Sequence, residues 1–492
     1  MKLIFLGLSI VSVWYNLCIA QSWDQLSLGQ FINSPFPELQ PRISICGRFL
    51  YFVRSEPKPN TNGNNFNQEI WCSQRTQQGW QKPYKLPYPI NSTANDAVCT
   101  VLPGNKTLLL SGRYYSDSTR LLGASITTYQ HSNWSLPENL LIPGLVSENG
   151  FANFYLSVSG QYLVVELNNS AGFGKQDLYV CFRRNNGRWS SPINLGKDIN
   201  SPYHDFAPFL AADEQTLYFA STRPGGLGNA DIWMSRRLDD TWQRWSPPIN
   251  LGPTINSENF EAYFSTTAAG EVAYYVTDLE NKGNTDILAT FLPPLFRPFP
   301  VVFFKGRMKF FSVPLAVQPT IKIRDLEKNT LVPAFWDADS LTFCAILTTG
   351  SKFELVVELA NYVSCRHIIQ TKSINNYAEI CKDIYMVPLA PDNTITLSKV
   401  EFDHLSNSIK VENLFAIDEY VNILKQNPKI KLQVHVLQDS IYLKGRRHKK
   451  IYQKRAEELL RNFTIKGIQS ERIILPEYKT YLAYRERNRK RF

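Results

Sequence analysis

A strongly basic segment stands at the end of this 492-residue sequence and suggests a definite chemistry. From Ser440 to Phe492 there are 16 Lys and Arg against 5 Asp and Glu, whereas the whole chain carries a net charge of +10. Such a segment suits a polyanion, for example a cell-wall polymer, anionic lipid headgroups or an acidic protein. The sequence therefore predicts a polyanion-binding surface, and its densest cations are Lys444, Arg446, Arg447, Lys449 and Lys450.

Motifs of common hydrolases and metalloenzymes are absent from the sequence. It contains no Gly-x-Ser-x-Gly, His-Glu-x-x-His or Cys-x-x-Cys, and its six His are scattered. The Gly-x-Gly turns at 172–174 and 226–228 do not continue into a helix that could hold phosphate. Asp177, Asp231 and Asp286 recur with a long repeat, which indicates turn-capping residues and not a calcium site. We therefore predict that the chain is not an enzyme and has neither metal nor cofactor.

The long repeat itself predicts how the first half of the chain folds. Its marker is a phrase that begins with Trp and ends with Ile-Asn, clearest from Trp189 to Asn200 and from Trp245 to Asn256. With the weaker copies at Trp80 and Trp134, the four Trp stand 54, 55 and 56 residues apart. Strand-like cores and turn residues keep the same period, which favours four-stranded blades around an axis. The pattern is similar to PD40 and WD40-like propellers.

The number of blades follows from the two ends of the repeat region. Residues 23–33 form another copy of the Trp phrase with no strand before it, while the last repeat, residues 257–292, never reaches its Trp phrase. We expect the N-terminal copy to supply the outer strand of the last blade, because ring closure removes open sheet edges. Residues 21–292 are therefore predicted to form an all-β, five-bladed propeller.

Residues 1–20 are predicted to be a secretory signal peptide. Lys2 supplies positive charge, residues 3–13 form the apolar run, and Cys18-Ile19-Ala20 fits a cleavage site. The apolar run is too short to span a bilayer. Lipidation at Cys18 is an alternative that the sequence leaves open. Seven other Cys allow disulfides in an exported chain, and their pairing is also left open.

Two smaller domains follow a Pro-rich linker at residues 293–300. Residues 301–386 contain strand-like segments, a turn at Thr349-Gly350 and the pair Asn361-Tyr362. This region resembles the carboxypeptidase-regulatory-like family, which implies a small β-sandwich without catalysis. Residues 392–492 alternate β and α elements, which predicts an α/β sandwich.

The last domain resembles the OmpA-like C-terminal, peptidoglycan-binding family. The resemblance rests on five segments, which are 402–406, 424–428, Arg455-Ala456, Gly467-Ile468 and the terminal set Arg485, Asn488 and Arg489. It implies that Asp439 and Arg455 hold the diaminopimelate residue of the peptidoglycan stem. That residue is a zwitterion, so a carboxylate and a guanidinium are suitable partners.

The order of the three domains resembles the periplasmic, peptidoglycan-tethered component of type IX secretion and gliding in Bacteroidota. The resemblance implies a non-catalytic adaptor in the periplasm, associated with the cell wall and outer membrane, whose propeller binds an envelope or secretion protein. Nucleic acid is not expected as a partner, and membrane association is expected to be peripheral at most. The alternative is a propeller that binds or cleaves a small ligand or glycan, with the basic domain as a surface anchor.

Overall fold

The computed structural model describes residues 26, 28, 31–57, 66–115, 120–278, 284–310, 317–386, 388, 400–403, 406–410, 414–426, 431–434 and 446–475. The predicted signal peptide lies outside these residues. The chain divides into two compact units, Met1–Val301 and Val302–Phe492. Antiparallel sheets make up most of both units, which confirms the prediction of a mostly β, multidomain chain.

Five antiparallel sheets follow one another along the first unit. Sheet 1 consists of β1 (Glu38–Ile43), β2 (Phe49–Pro57), β3 (Phe66–Thr76), β4 (Gly79–Trp80) and β5 (Tyr84–Lys85). Sheet 2 consists of β6 (Val98–Val101), β7 (Thr107–Tyr114), β8 (Arg120–Gln130), β9 (Asn133–Trp134) and β10 (Glu138–Asn139). Sheet 3 consists of β11 (Ala152–Leu156), β12 (Tyr162–Leu167), β13 (Asp177–Phe182) and β14 (Ile193–Asn194).

The last two sheets repeat this pattern. Sheet 4 consists of β15 (Asp205–Leu210), β16 (Thr216–Ser221), β17 (Asp231–Arg236) and β18 (Ile249–Asn250). Sheet 5 has three strands, β19 (Glu261–Thr266), β20 (Val272–Thr277) and β21 (Asp286–Phe291), and a 3-10 helix follows at Pro294–Phe296. The first strand of each sheet contacts the first strand of the next sheet, and β19 contacts β1. The five first strands therefore form a closed ring, which gives the unit a propeller-like fold.

In sheets 3 and 4, one asparagine joins the end of the repeat phrase to the third strand of the sheet. Asn200 accepts a hydrogen bond from Leu178 N at 2.8 Å and donates one to Leu178 O at 2.9 Å. Asn256 makes the same pair of bonds with Ile232. The side-chain amide thus satisfies a backbone donor and a backbone acceptor that would otherwise lack partners. This requirement explains why the Ile-Asn pair recurs in the sequence.

The same asparagine contact joins the two ends of the first unit. Asn33 accepts a hydrogen bond from Ile287 N at 3.0 Å and donates one to Ile287 O at 3.1 Å, across 254 residues of sequence. Leu26 N donates to Ala289 O at 2.7 Å. The N-terminal segment therefore lies along the third strand of sheet 5, where the other sheets carry their own repeat phrase.

The repeated Asp residues cap the turns that lead into the third strands. Asp177 accepts hydrogen bonds from Phe173 N at 2.6 Å and Gly174 N at 3.0 Å. Asp231 accepts one from Leu227 N at 2.5 Å. A Cβ at Gly172 would collide with the Asp177 carboxylate, so the turn requires glycine there. The turn-capping prediction is confirmed for Asp177 and Asp231.

Two four-stranded sheets of the second unit share one core. One sheet contains β22 (Val301–Phe310), β25 (Phe335–Asp337), β26 (Thr342–Thr348) and β29 (Ala378–Met386). The other contains β23 (Thr320–Asp325), β24 (Thr330–Val332), β27 (Lys352–Glu358) and β28 (Cys365–Gln370). Strands β22 and β29 pair in parallel, and the core includes Phe304 and Phe343 from the first sheet and Leu355 from the second.

Two helices and a short parallel ladder complete the second unit. Helix α1 spans Leu414–Gln426, helix α2 spans Arg446–Ile465, and β30 (Leu432–Gln433) pairs with β31 (Ile473–Ile474), which follows a 3-10 helix at Ser470–Arg472. The apolar faces of α1 and α2 share one core. Within the described part of the chain, neither helix has the length and apolarity that a bilayer crossing needs.

Replacing Asn33 tests whether the N-terminal segment holds the first unit together. Asn33→Ala should lower the free energy of unfolding by about 1–3 kcal/mol, because a backbone donor and acceptor lose their partner. The measurement is urea unfolding of the full chain. The control is Asn186→Ala, which removes an exposed side chain whose Oδ1 accepts a hydrogen bond from the nearby Arg188 N. Equal losses in the two variants would contradict a special role for Asn33.

Candidate functional site

Buried polar side chains meet where the innermost strands of the first unit converge. Arg42 comes from β1, Cys99 from β6, Tyr155 from β11 and Tyr263 from β19, and the last three all lie within electrostatic reach of Arg42. The Arg42 guanidinium carbon is 5.7 Å from the centre of the Tyr155 ring. We call these four residues, together with Glu166 on β12, the axial cluster. Glu166 belongs to it because it lies within electrostatic reach of both Cys99 and Tyr263.

Arg42 supplies the cation of the axial cluster. Its side chain is fully enclosed, since the residue is only 1% exposed. Nη1 donates to Phe264 O at 3.0 Å, whereas Nε and Nη2 have no hydrogen-bond partner among the residues that the structure describes. Burial lowers the pKa of Arg42, but a guanidinium stays protonated in proteins. The cluster therefore contains a buried charge with two free donors.

Glu166 supplies a carboxyl group suited to proton transfer. It is 2% exposed and accepts hydrogen bonds from Ala207 N at 2.9 Å and from Gln176 Nε2 at 2.7 Å. Burial raises its pKa to about 7, against the opposing effect of Ala207 and Asn153. A carboxyl with this pKa can give or take a proton near neutral pH.

A chain of hydrogen bonds links Glu166 to a partly exposed histidine. His204 Nδ1 lies 2.7 Å from Gln176 Oε1. Because the Gln176 amide nitrogen already donates to Glu166, its oxygen must accept from the ring, so His204 carries its proton on Nδ1. Burial lowers the pKa of His204. The chain fixes how Gln176 is oriented and which atom it presents to Glu166.

The backbone is strained where three of the innermost strands face the axis. Gln40, Ala207 and Tyr263 have φ values of 48°, 49° and 56°, and each lies at a bulge in its strand. A non-glycine residue in this region costs on the order of 1–3 kcal/mol, and bulges often redirect side chains at functional sites. Gln40 Oε1 is buried without a hydrogen-bond partner in the described residues, while Tyr263 keeps part of its surface accessible.

The axial cluster was missed in the sequence because its members interrupt the repeat. By strand register, Glu166 stands where three other sheets have Val53, Ala220 and Val276. A buried acid at a position that is apolar in three other sheets is a signal that aligning the repeats position by position would have found. Motif searches could not find it, because they look for residues that are close in sequence.

The predicted peptidoglycan residues are only partly described. Asp439 lies outside the described residues. Arg455, on α2, is 4% exposed; its Nε donates to Ser406 O at 2.7 Å and its Nη2 to Asp403 O at 3.2 Å. Its guanidinium also covers the Phe402 ring at 4.7 Å. Arg455 therefore binds the backbone of Asp403 and Ser406, and its contact with a peptidoglycan stem stays a prediction.

The predicted polyanion-binding cations lie at the start of α2 or just before it. Lys444 is outside the described residues, and Arg446 and Arg447 occupy the first turn of the helix. Lys449 and Lys450 are exposed on the same helix. The structure thus places two of the five cations at the surface, and binding of a polyanion there remains a prediction.

Comparisons with known proteins show a likeness of fold only. No family model matches the chain, and no curated protein matches it. An α-L-arabinofuranosidase from Lactobacillus brevis is 13% identical with a TM-score of 0.33, covering 54% of this chain and 94% of its own. Another from Fusarium graminearum is 12% identical with a TM-score of 0.34, covering 56% and 99%. A Trypanosoma rangeli sialidase is 8% identical with a TM-score of 0.31, covering 69% and 76%.

These neighbours correct two predictions. A non-catalytic adaptor and the absence of enzyme activity were expected, but the matched structures named above are hydrolases, and none of them is an OmpA-like protein or a secretion component. The two predictions are therefore withdrawn. With identities this low and TM-scores below 0.5, the likeness does not extend to substrate or mechanism. Any activity of this chain must be argued from its own residues.

The raised pKa of Glu166 predicts how stability depends on pH. Between its ordinary value of 4.5 and about 7, the folded chain binds a proton at Glu166 that the unfolded chain has released. The contribution of Glu166 to the free energy of unfolding should therefore fall as pH rises through this window, by up to about 3 kcal/mol. Urea unfolding across the window, compared between wild type and Glu166→Gln, measures it. The two curves running parallel would contradict a perturbed Glu166.

Arg455 gives a separate prediction for the second unit. Arg455→Ala should lower the free energy of unfolding by about 2–4 kcal/mol, because two backbone carbonyls lose a charged donor. Lys450→Ala removes one exposed cation from the same helix and should change it by less than about 0.5 kcal/mol. Chemical unfolding followed by circular dichroism distinguishes them. A surface role for Arg455 would instead leave both variants as stable as wild type.

Proposed function

We propose that the first unit is a five-bladed β-propeller that binds a small glycan-type ligand at the axial cluster and can hydrolyse it. The five sheets are its blades, and Leu26 and Asn33, which bond the third strand of sheet 5, complete the fifth. The observation that carries the proposal is the convergence of Arg42, Tyr263 and the proton-transferring Glu166 from three different blades. A buried cation with unpaired N–H donors lowers the stability of the fold. The scaffold by itself therefore gives no reason for such a group.

The polar groups at the axis suit a ligand with many hydroxyl groups. Arg42 and Gln40 carry buried polar atoms that have no hydrogen-bond partner among the described residues, and Tyr155 and Tyr263 contribute aromatic rings. Small-molecule sites typically combine apolar and aromatic surface with a few converging polar groups. Hydrogen-bond donors and an acceptor suit the hydroxyl groups of a sugar, and aromatic rings suit its C–H faces.

Glu166 is the residue to which we assign proton transfer. In its protonated form it would donate a proton to the leaving oxygen as the bond to that oxygen breaks. In its ionised form it would take a proton from the attacking water. Gln176 and His204 act as positioning residues, because they hold one carboxyl oxygen through the chain of hydrogen bonds described above.

The second unit is proposed to be an anchor. Exposed Lys449 and Lys450 and the basic residues around them give it a positive surface that an anionic cell-surface polymer could attract. Peptidoglycan binding through Asp439 and Arg455 and a periplasmic location, either of which would fit this role, remain proposals.

Glycosidase assays with a Glu166 variant test the proposed function. The purified full chain is incubated with a panel of nitrophenyl glycosides between about pH 5 and pH 8. Wild type should release nitrophenolate, and Glu166→Gln should lower kcat by about 100-fold or more, since general acid–base catalysis contributes at least that much. The amide introduced by this substitution can keep both hydrogen bonds of the carboxyl group if the Gln176 amide flips and His204 changes tautomer.

The control is Glu261→Gln in sheet 5. Glu261 is also a buried acid, but it bonds Ser257 and Thr277 at the start of an innermost strand and is not part of the axial cluster. Its variant should keep wild-type kcat. Equal activity in wild type and Glu166→Gln, or neither binding nor turnover of any glycoside, would overturn the proposed function.

A further inference from the structure

Two neighbouring segments of the first unit carry the hydrogen-bond chain that ends at Glu166. One is the turn before β13, which contains Gln176, and the other is the segment before β15, which contains His204. The backbones of the two segments are joined, since Lys175 N donates to Tyr203 O at 2.9 Å and Gln176 forms a parallel bridge with His204. The two segments therefore form one continuous surface at the junction of sheets 3 and 4.

This junction exposes two aromatic side chains. Phe173 is 52% exposed and Tyr203 is 44% exposed. Lys175 is exposed as well, and His204 is half-buried. We call Phe173, Lys175, Tyr203 and His204 the junction surface. Because these side chains reach the surface of the unit, a ligand can contact them without displacing any part of the core.

His204 offers a hydrogen-bond acceptor on the junction surface. Its Nδ1 carries the proton and donates to Gln176, so its Nε2 holds a lone pair. Burial and the nearby Lys175 ammonium lower the pKa of His204, which keeps the ring neutral near pH 7. Nε2 has no hydrogen-bond partner among the residues that the structure describes. The junction surface thus combines two rings, an ammonium donor and a ring-nitrogen acceptor.

The junction of sheets 4 and 5 has the same backbone contacts and shows what the fold requires at such a place. Asn229 N donates to Asn259 O at 2.7 Å, and Ala230 forms a parallel bridge with Phe260. The side chains at the equivalent positions differ throughout: Leu227 for Phe173, Asn229 for Lys175, Ala230 for Gln176, Asn259 for Tyr203 and Phe260 for His204.

This comparison separates the junction surface from the scaffold. The backbone contacts form between sheets 4 and 5 without the aromatic pair, the lysine or the histidine, so the fold does not require these residue types. By strand register, Ala220 stands there in the place of Glu166. Within the two junctions, the exposed rings and the exposed hydrogen-bonding groups therefore occur where the buried acid occurs.

We propose that the junction surface is a second binding site for the glycan, joined to the axial cluster through Gln176, so that the preferred ligand is an oligosaccharide and not a single sugar. This inference rests on the proposed function and narrows its ligand from small glycans to chains of sugars. Phe173 and Tyr203 pack against the C–H faces of sugar rings. Lys175 donates a hydrogen bond to a hydroxyl group, and His204 Nε2 accepts one.

Sugars of different length test the inference in the full chain. Calorimetric titration uses a panel of cello-, xylo-, arabino- and chito-oligosaccharides, with the corresponding single sugars for comparison. At least one oligosaccharide should bind about tenfold or more tightly than its single sugar, because the additional rings add apolar contact and hydrogen bonds.

Variants of the exposed side chains locate the second site. Phe173→Ala and Tyr203→Ala each remove an exposed ring and should weaken binding of that oligosaccharide about fivefold or more. The matched control is Leu227→Ala, because Leu227 occupies the same turn position in sheet 4 and is 50% exposed. It should keep wild-type affinity. Thermal unfolding checks that all three variants are folded, as expected for substitutions at exposed positions.

The outcomes separate this inference from the proposed function. Equal affinity for oligosaccharides and single sugars would overturn the second binding site, whereas turnover of nitrophenyl glycosides would still support the proposed function. Undiminished oligosaccharide binding by both ring variants, or an equal loss in Leu227→Ala, would overturn the assignment to the junction surface. Failure of every sugar to bind, together with inactivity on all glycosides, would overturn the proposed function as well.

Discussion

The hydrogen bonds between Asn33 and the Ile287 peptide join two segments that are 254 residues apart, and the axial cluster depends on them. Without the N-terminal segment, sheet 5 would lack a partner along its third strand, and β19 would have less to hold it against β1. The cluster takes Arg42 from the first sheet and Tyr263 from the last, so it forms only where the ring closes. Closure is therefore a condition for the site as well as for the fold.

The scaffold of the first unit could be predicted because the residues that build it recur in each repeat of the sequence. The Trp phrases gave the period, the Ile-Asn pairs mark the asparagine contacts, and Asp177 and Asp231 cap equivalent turns. Each of these features solves the same local problem in successive sheets, that of satisfying backbone groups at a turn or an edge. Because the same residue type satisfies these backbone groups in successive sheets, the residues recur in the sequence and can be recognised there.

The site could not be predicted in this way, because its residues do not repeat and are far apart along the chain. In the register of the first two strands, Arg42 is aligned with Tyr155, Phe209 and Ser265 of other sheets, and nothing in its neighbourhood marks it. Only the fold brings it near Tyr263, more than 200 residues later. The C-terminal resemblance points instead to Arg455, whose buried guanidinium donates to the backbone carbonyls of Asp403 and Ser406.

Comparing Arg42 with three other arginines of the first unit distinguishes site residues from scaffold residues. Arg54 is buried and Arg120 and Arg223 are half-buried in the same unit, and each has a fully buried acid within ion-pair distance. Arg42 has a backbone carbonyl and aromatic rings around it, and strained backbone lies two residues away at Gln40. A chain under selection for stability alone would replace such an arginine with an apolar residue at little cost. Its presence near Glu166, whose pKa burial raises to about 7, fits the proposed function better than a role in the scaffold alone.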